Sequence, residues 1–210
     1  VWISRQERIT FVRKLLKENY IENFEKDFRS RDGLLVPHLV SATFINLKGE
    51  KCLIIIARNI SELKSTENAL SEAQRLTHTG NFTYDLKTQQ MIWSDELYHM
   101  YNLDPKSQVP AIDDLVKSLH PDDAQSVLKS FEKTRKGKGI EIEYRVIVPG
   151  TRSERYQMMI ANPIFNENLE PVKVFATIQD ITERKIAELT IRESEQKLKD
   201  VNLMKDKIFS

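Results

Sequence analysis

One cysteine, no long apolar run and almost no net charge bound this 210-residue sequence from the outset. Cys52 stands alone, so neither an intrachain disulfide nor a cysteine-pair metal site can form, which suits a reducing compartment. The formal net charge is +1, from 32 basic and 31 acidic residues. No basic face is concentrated enough to argue for a nucleic-acid partner. No apolar stretch approaches the roughly 18 residues of a membrane span, so no membrane contact is expected within this segment. A secretory leader is missing too: the chain starts at Val1 without Met, polar residues follow, and the start reads as a cut inside a longer protein. There is no Gly-Lys-Ser/Thr phosphate loop. His38, His78, His99 and His120 share no metal-ligand spacing with Cys, Asp or Glu, and no Ser-His-Asp set follows from residue order. No catalytic residue and no metal site are assigned.

What the chain does contain is a long internal repeat. Residues 52–62 are an apolar run ending in Asn59-Ile60-Ser61-Glu62, and residues 173–183 are an apolar run ending in Asp180-Ile181-Thr182-Glu183. Ile60 aligns with Ile181 at an offset of 121 residues, and the match continues through Lys64 with Lys185, Glu67 with Glu188, and Leu70 with Ile191. A repeat of this length is a duplicated domain, not a solenoid unit. Asp180 with Glu183, and Asn59 with Glu62, have capping-box spacing. Each junction therefore predicts a strand passing directly into a helix at a defined angle.

Between the junctions the hydrophobic period changes. Residues 80–86 and 90–94 carry Phe82, Tyr84, Ile92 and Trp93 around a turn at 87–89 and predict a hairpin. Residues 95–101 predict a short helix, and Pro105 and Pro110 bracket a loop. His120-Pro121-Asp122-Asp123 opens a longer helix, because proline suits its first turn and carboxylates favour its positive end. Ile140, Ile142, Tyr144 and Val146 alternate with polar residues in a half-buried strand, and two further strands are expected over 154–165 and 172–179. Helices set between runs of strands predict an α+β fold with an antiparallel sheet. The first 60 residues match only the second half of this plan: a helix over 7–18, then strands over 21–30, 34–45 and 52–59. With no opening hairpin, part of that sheet edge is expected to be unpaired.

These features together resemble the PAS family of sensor domains. The second repeat carries the resemblance in Thr79-Gly80-Asn81-Phe82, Trp93-Ser94-Asp95-Glu96-Leu97-Tyr98, His120-Pro121-Asp122-Asp123, Glu143-Tyr144-Arg145 and Gln179-Asp180-Ile181-Thr182-Glu183. The first carries it in Phe28-Arg29-Ser30-Arg31-Asp32-Gly33 and Arg58-Asn59-Ile60-Ser61-Glu62. The resemblance implies a five-stranded antiparallel sheet with helices on one face and a helix leaving the last strand. It divides the chain into the C-terminal part of a first PAS domain (1–62), a helical linker (63–76), a complete second PAS domain (77–183) and a signalling helix (184–210).

Phe82, Tyr84, Trp93, Met158 and Phe175 can line a ligand cavity or simply form core, and the need to bury one sheet face favours core. His99 lies over the expected pocket, where some PAS domains use a histidine to ligate haem; a partly exposed, uncoordinated histidine is the plainer reading. Cys52 lacks the Asn-Cys-Arg surroundings of photoactive flavin PAS domains. No cofactor is therefore predicted, and an unknown small-molecule ligand stays open. Glu143 and Arg155 are expected to pair across strands, an exposed pair contributing about 0–1 kcal/mol. Signal relay is expected at Asn59, Glu62, Asp180, Ile181, Thr182 and Glu183.

Steps of four and three along the last helix place Ala187, Ile191, Ser194, Leu198, Val201, Lys205 and Ile208 on one seam, which predicts a parallel homodimeric coil. Met204-Lys205-Asp206-Lys207-Ile208-Phe209-Ser210 resembles the lead-in to the dimerisation helix of sensor histidine kinases. That likeness implies a parent kinase whose phosphoacceptor histidine, ATP, Mg and response-regulator partner all lie outside this sequence. It also implies a cytoplasmic segment of a parent that can be membrane-anchored elsewhere. The alternatives are an input module for another output, such as a diguanylate cyclase, and a small-molecule or haem sensor.

Overall fold

The computed structural model describes residues 4–151 and 153–208, excluding the side chains of residues 203 and 205–208. Two compact units, Val1–Leu70 and Ser71–Ser210, divide the chain within one helix. The first unit contains α1 (Arg5–Glu18), β1 (Tyr20–Arg29), β2 (Leu35–Leu47) and β3 (Glu50–Asn59). Ser4 opens α1 by accepting the Glu7 N–H through its hydroxyl, and Asn19 closes it in the left-handed region at φ 64°. The strands form an antiparallel sheet in the order β1-β2-β3. Lys48 and Gly49, both at positive φ, make the tight hairpin turn between β2 and β3. Phe11 and Leu15 of α1 are buried against Ile21, Val40 and Ala42. The helix α2 (Ser61–Leu76) follows β3 directly and has no buried residue.

The second unit has the expected α+β architecture in full. Its strands are β4 (Thr79–Asp85), β5 (Met91–Trp93), β6 (Ile140–Ile147), β7 (Glu154–Phe165) and β8 (Pro171–Asp180), arranged antiparallel as β5-β4-β8-β7-β6. Between β5 and β6 come α3 (Asp95–Met100), α4 (Ile112–Ser118) and α5 (Pro121–Arg135), and α6 (Thr182–Ile208) leaves β8. Strand alternation sends Phe82, Tyr84, Trp93, Tyr144, Met159, Val174, Ala176 and Ile178 to the covered face, where they pack with Leu97, Tyr98, Tyr101 and Val127. His120 caps α5 by accepting the Asp122 N–H, with Pro121 following it, so its role at the helix start is the one its sequence context predicts. The stretch between Pro105 and Pro110 is irregular, and α4 follows immediately, with Leu115 packed against the core.

One expectation is corrected by the register. Glu143 sits opposite Met158, and Arg155 opposite Val146, so Glu143 and Arg155 are not a cross-strand pair. Glu143 instead binds Arg184 and Lys185 of α6, each at under 3 Å, while Arg155 approaches Asp180 at 3.5 Å. The linker helix and α6 also begin two residues earlier than read, at Ser61 and Thr182. Their first helical bonds fall from Lys64 to Ile60 and from Lys185 to Ile181.

Gly80 of β4 marks the tightest contact in this unit. A Cβ built there would stand 2.7 Å from Leu97 Cβ and 2.8 Å from Leu97 Cα, which is backbone and cannot swing aside. Gly80→Ala must therefore push α3 off the sheet. We expect a loss of about 1–3 kcal/mol, the usual cost of overpacking, read from denaturant unfolding by Trp93 fluorescence in a Trp2→Phe background. An unchanged midpoint would show that α3 yields freely.

Candidate functional site: the strand-to-helix junction and the core cavity

The two copies of the junction are built alike. Asn59 Oδ1 accepts the Ser61 N–H at 2.8 Å, and Asp180 Oδ1 accepts the Thr182 N–H at 2.9 Å. Each is an Asx turn, the short side-chain bond that lets an extended chain bend. The next residue anchors the bend: Ile60 N–H donates to Pro37 C=O and Ile181 N–H to Tyr156 C=O, each at 2.9 Å. Both isoleucine side chains are buried, at 5% and 4% exposure. A first-turn lysine then ties the helix to the far strand. Lys64 Nζ lies 2.6 Å from Glu25 of β1, and Lys185 Nζ lies 2.6 Å from Glu143 of β6. Those hydrogen bonds raise both lysine pKa values.

The capping box anticipated at these positions is only half formed. Asp180 gives its own N–H to His78 C=O at 3.0 Å, leaving Glu183 exposed with no role at the cap. Glu62 is likewise exposed. The reciprocal bond is lost because the residue before the bend still belongs to a sheet ladder, whose partner claims its N–H. Thr182 takes an unanticipated part: its hydroxyl accepts the Tyr156 N–H at 3.0 Å, so both backbone groups of Tyr156 hold the start of α6.

Asp180 also links two helices through Arg155. Arg155 Nη1 stands 3.5 Å from Asp180 Oδ2 and 3.5 Å from the carbonyl of Met100, the last residue of α3. The chain end of α3 and the start of α6 thus share one guanidinium. Beside the junction, Asp123 at the positive end of α5 grips Arg145 of β6: its carboxylate accepts from Arg145 Nε, Nη2 and backbone N–H at 2.9–3.0 Å. The Arg145 bond is the first cause of a lowered Asp123 pKa, and Asp123 raises that of Arg145 in turn. Only the helix-end charge of Asp123 was legible from sequence, because a partner 22 residues away leaves no local pattern.

A small apolar cavity of about 100 Å³ lies between the covered sheet face and the helices, lined by Phe82, Trp93, Leu97, Tyr101, Leu115, Phe131, Tyr144, Met159 and Ile178 among others. Phe82 and Trp93 are thereby placed on its wall. Tyr84 is buried core beside Phe131, with ring centroids 5.7 Å apart. Met158 and Phe175 are corrected: in register with Gln179 and Asn162 on the opposite sheet face, they point away from the cavity, while the neighbouring Met159 lies on its wall and Val174 is buried in the core. A one-residue slip in reading a strand exchanges its faces. His99 is also removed from the wall. Its ring is exposed, with Nδ1 3.7 Å from the buried carboxylate of Glu96. Tyr101 is pushed up to about 12 by burial, and burial drives Tyr144 well above its ordinary value. The wall therefore stays uncharged across the physiological range. Among the described residues no group of three His, Cys, Asp or Glu side chains could hold a metal ion.

On α6 the seam residues Ile191, Leu198 and Val201 are exposed at 60%, 64% and 52%, and Ala187 and Ser194 share their side of the helix. The side chains of Lys205 and Ile208 lie outside the described residues, as do Phe209 and Ser210. Ile186 and Leu189 form a second exposed apolar pair that the seam does not include.

Comparison with known proteins agrees with this architecture. A family model described as PAS fold matches residues 90–178, which run from the β4–β5 turn through most of β8. The second unit therefore has the PAS fold. Among solved structures, a sensory box histidine kinase/response regulator from Burkholderia thailandensis E264 aligns with 62% of this chain and 98% of its own, at 23% identity and a TM-score of 0.51. The N-terminal domain of a diguanylate cyclase with PAS/PAC sensor from Marinobacter aquaeolei aligns with 51% of this chain and 98% of its own, at 13% identity and a TM-score of 0.46. A PAS domain from Colwellia psychrerythraea aligns with 56% and 98%, at 17% identity and a TM-score of 0.43. No curated protein matches. No helix among the described residues is long and apolar enough to cross a membrane.

Two measurements follow from this geometry. Asp180→Ala removes the Asx bond and the Arg155 partner together, and is expected to lower stability by about 0.5–2 kcal/mol, the range for losing a helix cap. Thermal unfolding of the 210-residue chain reads it, and an unchanged melting temperature would strip Asp180 of that role. For Asp123 the folded pKa lies below the unfolded value of about 3.9. Its contribution is present in full above that pH and is lost as pH falls through the folded value. Asp123→Asn should therefore flatten the acid limb of stability between about pH 5 and 2. A mutant limb as steep as that of the parent would show that the Asp123–Arg145 pair is not its source.

Proposed function

We propose that this chain is a sensory relay region of a two-component histidine kinase, in which tandem PAS units pass conformational change to a helical coil. The observation that carries the reading is the duplicated junction, which fixes the exit of two successive helices by the same bonds at Asn59-Ile60 and Asp180-Ile181. Chemistry is not required for such a task. A change around the cavity that moves α3 would reach Asp180 through Arg155, and from there the first turn of α6.

The first unit supports the tandem reading by what it leaves uncovered. At the 121-residue offset, Leu53 and Ile55 of β3 correspond to Val174 and Ala176 of β8. The latter pair is fully buried in the core cluster, whereas Leu53 and Ile55 are 45% and 53% exposed. We read the first unit as the last part of a PAS domain whose hairpin and covering helices are supplied from elsewhere. The histidine-kinase output rests on the likeness of residues 204–210 to a kinase lead-in; a cyclic-dinucleotide synthase is the competing output. In this reading the segment works in the cytoplasm as a homodimer through α6, while ATP, Mg and the response regulator meet the kinase core.

The seam is tested by crosslinking. With Cys52 replaced by serine, single cysteines at Leu198 and Val201 should form disulfide dimers readily, and one at Gln196, off the seam, should form few. Equal or absent crosslinking at all three positions would end the parallel-coil reading and favour α6 as a lone amphipathic helix.

A further inference from the structure

We infer that His78, Glu96 and His99 form a proton-sensitive latch: when the imidazoles are charged they close on the buried Glu96 carboxylate and draw the joint between α2 and β4 onto α3. The latch stands on its own geometry, and its consequence for output rests on the relay reading above. Glu96 lies on α3 at 8% exposure, and burying a charge without a counter-charge is strongly penalised. Among the described residues its only ionic partners are two histidines from different segments, with no lysine or arginine beside them. His78 Nδ1 stands 3.8 Å from Oε1, and His99 Nδ1 stands 3.7 Å from Oε2. Each distance is too long for a hydrogen bond and about 1 Å from a charge-assisted one. The remaining charged groups nearby are engaged elsewhere or face water. Asp95, next to Glu96 on α3, is exposed. Asp85, at the far end of β4, accepts the Lys87 and Thr88 N–H groups. Arg75 of α2 meets His78 through its backbone carbonyl, which accepts the His78 N–H at 3.2 Å, and Asp180 of β8 turns its carboxylate to Arg155 of β7.

The two rings are open to solvent, at 69% and 56% exposure, so protons reach them freely while the carboxylate stays covered. Imidazole is the side chain that changes charge between about pH 5 and 8. A neutral ring carries one N–H; with a second proton taken from solvent, both nitrogens donate, whichever tautomer came first. The imidazolium–carboxylate contact exists only while a ring is charged. Its contribution is therefore complete on the acid side of the histidine range and is lost as pH rises through it, and it falls away again once acid protonates Glu96. The placement of the latch gives it reach. His78 turns the chain from α2 into β4 with a left-handed backbone at φ 47°, and its carbonyl accepts the Asp180 N–H at 3.0 Å, just before the bend into α6. His99 precedes Met100, whose carbonyl meets Arg155, the partner of Asp180. Both arms thus lead from Glu96 to Asp180, and in the relay reading closure of the latch is felt at the start of α6.

The Asp180 amide of the 210-residue chain reads the latch by NMR, because its hydrogen bond ends on the His78 carbonyl. Between about pH 8 and 6 its resonance is expected to move in step with the His78 ring. Glu96→Gln, which keeps the shape and removes the charge, should abolish most of that movement. It should also lower the melting temperature at pH 6 relative to that at pH 8 by about 2 °C against the parent, and His78→Asn combined with His99→Asn should do the same. Both histidines are exposed, and asparagine tolerates the left-handed backbone at 78, so the double variant serves if Glu96→Gln folds poorly. An Asp180 movement as large in Glu96→Gln as in the parent would overturn the inference, as would a double variant whose melting follows pH like the parent. The relay reading fails separately: crosslinking along α6 is read at one pH, so its loss with the Asp180 response intact would remove the relay and leave the latch standing.

Discussion

The backbone bond from Ile181 N–H to Tyr156 C=O is the constraint on which the exit of α6 from the second unit depends. It keeps the residue after the last strand inside the ladder, so the chain cannot drift before it turns. With the Ile181 side chain buried beneath it, the Asx turn at Asp180 has one direction to follow, and α6 leaves at a fixed angle. The ion pairs of Arg184 and Lys185 with Glu143 then hold the first turn from the side. These are exposed contacts of small individual energy, so they set orientation more than stability. A rigid bend followed by a weakly held first turn is an arrangement that modest forces can redirect.

The same logic joins the cavity to the exit. α3 is pressed against β4 so closely that Gly80 has no room for a side chain, and Leu97 on that helix forms cavity wall. At its other end α3 offers the Met100 carbonyl to Arg155, which also faces Asp180. Under the proposed relay, a displacement of α3 would be felt by Arg155 and by its partner Asp180.

Much of the fold was legible before any coordinates. Alternation in Ile140–Val146, proline and paired carboxylates at 121–123, and the duplicated Asn/Asp-Ile-Ser/Thr-Glu each express a local rule: strand pleat, helix start, chain bend. The site was legible in part. Asp180, Ile181 and Thr182 do gather at one bend, while Glu183 and Glu62 do not, because the N–H that a capping box would use is already engaged by the sheet. Phe82 and Trp93 reach the cavity, whereas Met158 and Phe175 fall on the other face. An apolar residue at the wrong parity looks the same in sequence as one at the right parity when both faces of the sheet carry carbon. The partners of Arg145 and Arg155 were not legible for a single reason: Asp123 and Met100 lie 22 and 55 residues away.

By itself the sequence determined the α+β plan, the repeat and its 121-residue period, and the positions where strands become helices, since each is set by neighbours within a few residues. Only the tertiary structure decided which side of each strand is covered, how the amide nitrogen of the buried Gln157 comes to lack a partner, and why Leu53 and Ile55 are exposed while Val174 and Ala176 at equivalent places are sealed. Those outcomes depend on how distant segments close over the sheet, and burial is a property of that closure, not of the residues buried.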